Sequence, residues 1–492
     1  MRSFHSFCLA LALTLGALSA AGAQTMPDAG FGGLGAGFVN LPLNQGGLDR
    51  DMATDMKIRP DGRIVIAGLV QTATGVVAGV YQLTADGLPD PSFGGGDGRA
   101  TFIDPTDPTA NLVVYCLALQ SDGKIVLAGQ TPSALGRDHP FAFVMRINAD
   151  GTALDPSFDG DGMATPRADD YRDVAIASDG RIVLAGTLTL HWLAIPPTPG
   201  YDTDRIAVTR LLANGALDPS FDGDGEPYFH FGTDEFIKRD FRGRALALAT
   251  DGRILVAAEI WTPDHGTDFG VLGLRQDGTP DPTFGNYGPS GQARVHFDQT
   301  GSDCTEDFVT DIGFYSSALA PAANRIVLAG HACLSDGNRE FAVARLFANG
   351  ELDVDFADTG RRFIGFDLGG NNGDYATALA FQSPGGYFLG LPPSHVVVAG
   401  LAVRTGSNYD IALARLRLSD GVLDSSFGNG GRYVFPIDLG GPLTEYVDAV
   451  ATTPSRVTIA GWLSTPLNNG SDRDFLAARF VVDETLFRNG FE

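Results

Sequence analysis

One phrase recurs seven times and constrains the architecture more than any other feature of the chain. It reads IVIAG at 64–68, IVLAG at 125–129 and 182–186, ILVAA at 254–258, IVLAG at 326–330, VVVAG at 396–400 and VTIAG at 457–461. The interval is about 57 to 72 residues, the length of a unit that holds several short strands and cannot bury its apolar face alone. Units of this kind pack side by side until their sheet edges are covered, as in a β-propeller.

The second unit shows the order of parts. Residues 115–120 (YCLALQ) read as a first strand, Ser121-Asp122-Gly123 as a turn and 124–129 as a second strand. Asp-Gly between apolar runs is a strong hairpin signal. Residues 141–148 (FAFVMRIN) read as a third strand, followed by Ala149-Asp150-Gly151, the link LDPSFDGDG at 154–162 and a short fourth strand at 163–166. The turn returns at Asp61-Gly62, Asp179-Gly180 and Asp251-Gly252, and the link returns from 88, 217, 280, 352 and 423. Each link phenylalanine is expected to plug its blade against the next, while the glycines and aspartates supply turn geometry.

The two ends are offset. Residues 30–42 read as a link and outer strand with nothing before them, and the repeats stop after a third strand at 474–482. The expected fold is therefore all-β: a single seven-bladed β-propeller of four-stranded antiparallel blades over 24–482, its ring closed by 37–41 as the outer strand of the last blade. Closure covers edges that an open array would leave bare.

At DGKIVLAG, FAVARL and LDPSFG the chain resembles the delta-60 repeat family of bacterial exported proteins, over roughly residues 30 to 482. Its strand order is also similar to that of NHL propellers. Ala258 and Gly273 depart from the pattern in the fourth unit. The resemblance implies a fold and no particular reaction.

The first 23 residues read as a signal peptide: Arg2, an apolar run at 7–18, and a small-residue cleavage site at Ala21-Gly22-Ala23. The run is too short to span a bilayer, and no later segment is long and apolar enough, so no membrane span is expected. Export predicts a secreted, periplasmic or cell-surface protein. Residues 483–492, ending in Gly-Phe-Glu, resemble a short ending shared by exported proteins of Gram-negative bacteria; a sorting label and a frayed terminus are both open. The net charge of −25 argues against nucleic acid and anionic lipid as partners. An unidentified protein or glycan is the expected partner of a monomer.

An oxidising compartment permits a disulfide. Cys304 and Cys333 flank the hairpin of the fifth unit and make the expected pair; Cys116 alternates with apolar residues and reads as a buried free thiol. Asp51, Asp170, Asp240, Asp307, Asp374 and Glu445 stand at the starts of first strands in what reads as one register, with Leu112 breaking it in the second unit. Such a ring has the oxygen chemistry for Ca²⁺ or a cationic ligand. Arg146, Arg210, Arg345, Arg415 and Arg479 recur in third strands, and pairing of these arginines with the acids is the competing expectation. The DGDG runs at 159–162 and 222–225 lack the downstream glutamate of a calcium loop and read as turns.

The histidines at 139, 191, 230, 265, 296, 331 and 395 are scattered along the chain. No HExxH, GxSxG, P-loop or dinucleotide fingerprint occurs. Long stretches at 191–203 and 231–243 have the composition of a binding mouth or of surface insertions. The expected function is an exported binding or interaction scaffold. The alternatives are an extracellular hydrolase or lyase with its site in the funnel, and a passive cell-envelope structural protein. A histidine or an unpaired acid converging on the funnel would favour the enzyme.

Overall fold

The computed structural model describes residues 25–482, except 34, 44, 47–49, 133–139, 193–200, 233–239, 263–265, 289–290, 298–305, 317–322, 384–391, 405–407, 438–443 and 465–471. The signal peptide, Cys304 and the tail lie outside the described residues. So do the centres of the two long stretches.

The fold is all-β and built from antiparallel hairpins. In the first repeat, strands Met52–Ile58, Ile64–Gln71, Val76–Leu83 and Arg99–Phe102 form one four-stranded sheet. The same order follows in every later repeat. In the fifth, Phe308–Tyr315, Arg325–Cys333, Arg339–Phe347 and Arg361–Ile364 are joined to the sixth by one parallel pair, Arg339 with Gly373. The recurring phrase is the second strand, the central strand of each hairpin pair. Ile64–Ala67, for example, are at most 1% exposed, as expected for a strand covered on both faces.

The last repeat takes its outer strand from the other end of the chain. Phe38–Leu41 runs antiparallel to Arg473–Val481, with Phe38 opposite Ala478. The segment predicted for this role, 37–41, pairs as expected. Phe31 and Leu41 also enter an apolar cluster with Met56 and Ile64 of the first repeat and with Ala460 and Phe475 of the last.

Each pair of neighbouring repeats shares such a cluster, and the link latches them. Phe31, Phe93, Phe158, Phe221, Phe284, Phe356 and Phe427 are at most 2% exposed. The ring of Phe93 lies under Gly151 of the next repeat, where φ is +69° and a Cβ would come within 2.2 Å of the ring. Only glycine accepts both that backbone and that approach. The amide of Gly94 then donates to the carbonyl of Asp150 in the same neighbour.

The five repeated arginines do make ion pairs, but not with the predicted acids. Arg146 pairs with Asp155, Arg210 with Asp218, Arg345 with Asp353 and Arg415 with Asp424, at 2.8, 2.8, 2.9 and 2.6 Å. These aspartates belong to the links. The guanidinium of each lies 4.5–5.1 Å from the centroid of the link phenylalanine, and those of Arg146, Arg210 and Arg345 donate to a carbonyl of the next repeat. In the last repeat Arg479 finds Asp28 at 2.8 Å and stands over Phe31 at 4.7 Å. Asp28-Ala29-Gly30-Phe31 thus reproduces the spacing of Asp90-Pro91-Ser92-Phe93 from the far end of the chain.

Candidate functional site

The first strand of every repeat carries a β-bulge at an equivalent place, and that of the sixth has a second irregularity between Gly369 and Asp374. At the bulge the register against the second strand skips one residue: Thr54, Tyr115, Arg172, Arg244, Thr310, Thr377 and Asp448. A bulge breaks the two-residue alternation and re-aims a side chain. All of these residues line a cavity of about 820 Å³, and all also line a second of about 430 Å³. The bulges therefore stand where the two chambers meet.

The bulge also sets the register that the sequence comparison lacked. Counted from it, Asp51, Asp307, Asp374 and Glu445 are equivalent; Asp170, opposite Thr187, sits one residue later, and Asp240 precedes the strand Phe241–Leu248. The acids do local work. Asp51 accepts the amides of Leu43 and Gln71 at 3.0 and 3.3 Å, Asp307 that of Phe297 at 2.6 Å and Asp374 that of Phe366 at 2.6 Å. Asp170 accepts from Thr187 at 2.9 Å and pairs with Arg172 at 2.7 Å. Asp240 is exposed, 4.0 Å from Arg242, and Glu445 is buried. Among the described residues, no three His, Cys, Asp or Glu side chains are gathered closely enough to hold a metal ion. Cys116 is free and buried, with its thiol pushed well up by burial; Cys333 is disulfide-bonded.

The inner chamber holds a different set of carboxylates, one residue past the bulge. Asp55 grips Lys57 through both oxygens, at 2.7 and 2.8 Å. Asp55, Asp173 and Asp311 each accept one amide of their own strand and one of the following repeat, those of Leu117, Leu246 and Leu379, at 2.7–2.8 Å. Burial pushes Asp173 up to about 6 and Asp311 up to about 7, because desolvation penalises the charged form. Burial works against Lys57, yet Asp55, Asp173 and Asp311 together raise it. Asp448 has no hydrogen-bond or ion-pair partner among the described residues, and burial, then Asp55, pushes it up to about 7.

Above the bulges the outer chamber is lined from three equivalent positions: two residues before the bulge (Met52, Val113, Arg242 and Phe308), the residue after the recurring phrase (Leu69, Glu259, His331 and Trp462), and the start of the third strand (Arg339). In the third and fourth repeats they are mainly charged. Arg242 pairs with Asp204 across the repeats at 2.7 Å, and Arg244, a bulge residue, pairs with Glu259 at 2.6 Å. In the fifth to seventh repeats these positions are, but for Leu401, aromatic or arginine: Phe308, His331, Arg339 and Trp462 line the chamber, and Tyr375, Tyr409, Tyr446 and Arg473 adjoin them.

These side chains form a continuous arc. Arg339 stands 5.6 Å from Phe308, and Phe308 5.3 Å from His331. His331, Tyr375, Tyr409 and Tyr446 follow at centroid steps of 5.1, 6.4 and 5.4 Å. Tyr446 stacks on Trp462 at 4.1 Å and 13°, and Arg473 covers Trp462 at 4.4 Å. The hydroxyls of Tyr375, Tyr409 and Tyr446 meet no hydrogen-bond partner among the described residues, and the rings are partly exposed. Two buried cavity-wall atoms, Arg244 Nε and His331 Nδ1, are likewise unpartnered. Burial, then Arg339, brings His331 down to about 4, so its imidazole is neutral at pH 7. The signal for these residues lay in the sequence: Leu69, Glu259, His331 and Trp462 each directly follow the recurring phrase.

A family model described as a domain of unknown function (DUF5122) beta-propeller matches residues 59–93, 120–158, 200–221, 249–284, 324–356 and 395–427. No curated protein matches the chain. Solved structures similar to it include a polysaccharide lyase described as PL25 ulvan lyase (10% identity, 90% of this chain and 93% of that one, TM-score 0.44). Others are the polysaccharide lyase Uly1 (13%, 87% and 90%, TM-score 0.46) and Sqt1 from Chaetomium thermophilum bound to the N-terminus of ribosomal protein L10 (11%, 90% and 100%, TM-score 0.40). With its repeated links and its four-stranded antiparallel sheets, the chain is a β-propeller repeat protein.

Proposed function

We propose that the repeats close into a seven-bladed ring of the delta-60 type, and that this exported protein binds a carbohydrate at the mouth of its central cavity. The closure reading rests on the outer strand supplied by Phe38–Leu41 and on the packing of the first strands of the last and first repeats, Glu445–Thr453 and Met52–Ile58.

The observation that carries the function is the arc with its three unpartnered tyrosine hydroxyls, facing a wall of arginine–carboxylate pairs. Sugars present apolar C–H patches and many hydroxyls together. They suit amphipathic aromatics, which offer an apolar body and a polar tip, beside side chains with several donors or acceptors. A concave site with a few convergent polar groups is the usual form of a ligand pocket. Glycan-array binding by the mature chain tests the reading. Binding that weakens about tenfold in Tyr409→Ala, with an unchanged melting temperature, is expected. No binding to any glycan would overturn it.

Asp448 and His331 favour a second reading, cleavage of the bound chain. A carboxyl that holds its proton to about pH 7 and a neutral imidazole, both on the cavity wall, have the protonation states of a general acid and a general base. New reducing ends released from a bound polysaccharide, and lost in Asp448→Asn, would establish it. Binding without release would leave the protein a scaffold.

A further inference from the structure

We propose that the bound carbohydrate is acidic, and that Arg473 takes the carboxylate of a uronic-acid unit at the seventh-repeat end of the arc. This rests on the carbohydrate reading above and names the chemistry of its ligand.

The mouth arginines differ in one respect. Arg172, Arg242, Arg244 and Arg339 each hold a carboxylate, those of Asp170, Asp204, Glu259 and Glu306. Arg473 holds none among the described residues. Its guanidinium covers Trp462, and Nη1 lies 3.0 Å from Met52 Sδ. Arg50 is bridged to it through the backbone and adds a like charge. Burial first, and Arg50 second, pull the Arg473 pKa down. A half-buried charge without a counter-ion is costly, and an anionic ligand removes that cost.

The planar fork of a guanidinium matches a carboxylate in two parallel hydrogen bonds. Trp462 and Tyr446 hold that fork against a stacked aromatic pair, limiting the rotamers it samples. A sugar carboxylate seated there leaves the ring and its neighbours to run along Tyr409 and Tyr375 toward His331, whose Nδ1 is unpartnered. The net charge of −25 opposes a polyanion at long range, but salt screens exposed charges beyond about 8 Å at physiological ionic strength. The contact with Arg473 lies well inside that distance.

The test is calorimetric titration of the mature chain with two probes, oligogalacturonate and oligoglucuronate, each beside its carboxyl-reduced neutral counterpart. The expected result is about tenfold tighter binding of at least one acidic form. In Arg473→Gln that difference disappears while the neutral form binds as before; Arg473→Lys keeps part of it. Equal binding of acidic and neutral forms by the native chain overturns the role of Arg473 and leaves the carbohydrate reading standing. So does an equal loss of both in Arg473→Gln at an unchanged melting temperature. Failure of all four probes to bind overturns this proposal, and an empty glycan array then removes the carbohydrate reading with it.

Discussion

Replacing Asp28 by alanine removes a carboxylate shared by Arg479 and Arg456 at 2.8 and 2.9 Å. The same residue caps Gly30 through its other oxygen and donates its amide to the carbonyl of Arg479. Its side chain is 10% exposed and that of Arg479 12%, so the substitution strands a nearly buried guanidinium. Breaking such a pair from one side costs about 3–5 kcal/mol. Arg479 keeps the face of Phe31 and the carbonyl of Ala85, which places the loss near the lower end, about 3 kcal/mol. For a domain of about 460 residues the unfolding entropy is about 1 kcal/mol per degree, so melting falls by about 3 °C. Asp353 is the internal control. It is shared by Arg345 and Arg325 at 2.9 and 2.6 Å and is fully buried. Scanning calorimetry of Asp28→Ala and Asp353→Ala should therefore give similar drops. If Asp353→Ala melts earlier while Asp28→Ala melts with the native chain, the N-terminal segment adds nothing to closure and the argument for a sealed ring fails.

Asp448 holds its proton to about pH 7 in the folded chain but releases it near pH 4 when unfolded. The folded state therefore binds more protons between those values, and stability falls as pH rises through that window. Asp448→Asn should raise stability at pH 8 by about 1–2 kcal/mol, discounted for the solvent its carboxyl reaches, and change nothing at pH 4; denaturant titrations at both pH values decide it. Phe356→Ala should cost about 3–4 kcal/mol by emptying the latch between the fifth and sixth repeats, read as a lowered denaturation midpoint. Gly421→Ala should also destabilise, by more than about 1 kcal/mol, because φ is +71° and a Cβ would approach Ala357 N to 2.8 Å. A midpoint equal to the native one would show that the link ring does not depend on that close approach.

Much of the fold was legible because it is written in local signals. The recurring phrase marks a strand buried on both faces, Asp-Gly marks the hairpin that follows the first strand, and the link phenylalanine stands three residues after an aspartate in every unit. The site was less legible. Asp170 and Asp240 look equivalent to Asp51 when strands are aligned by their acids, yet the bulges at Arg172 and Arg244 put them out of register. Arg146 and its equivalents were recognisable as pairing residues, but the choice between first-strand acids and link aspartates needed the antiparallel return of the link beside the third strand.

The chain itself determined the number of repeats, the strand order within each and the residues that fill each core, since these follow from side-chain alternation and turn chemistry over a few residues. Tertiary structure alone decided which residues meet. Asp28 reaches Arg479 across 451 positions, and the arc from Phe308 to Arg473 is assembled from three repeats. A bulge re-aims the side chains of its strand, and each bulge falls opposite the last two residues of the recurring phrase, a correspondence that appears only once the strands are paired.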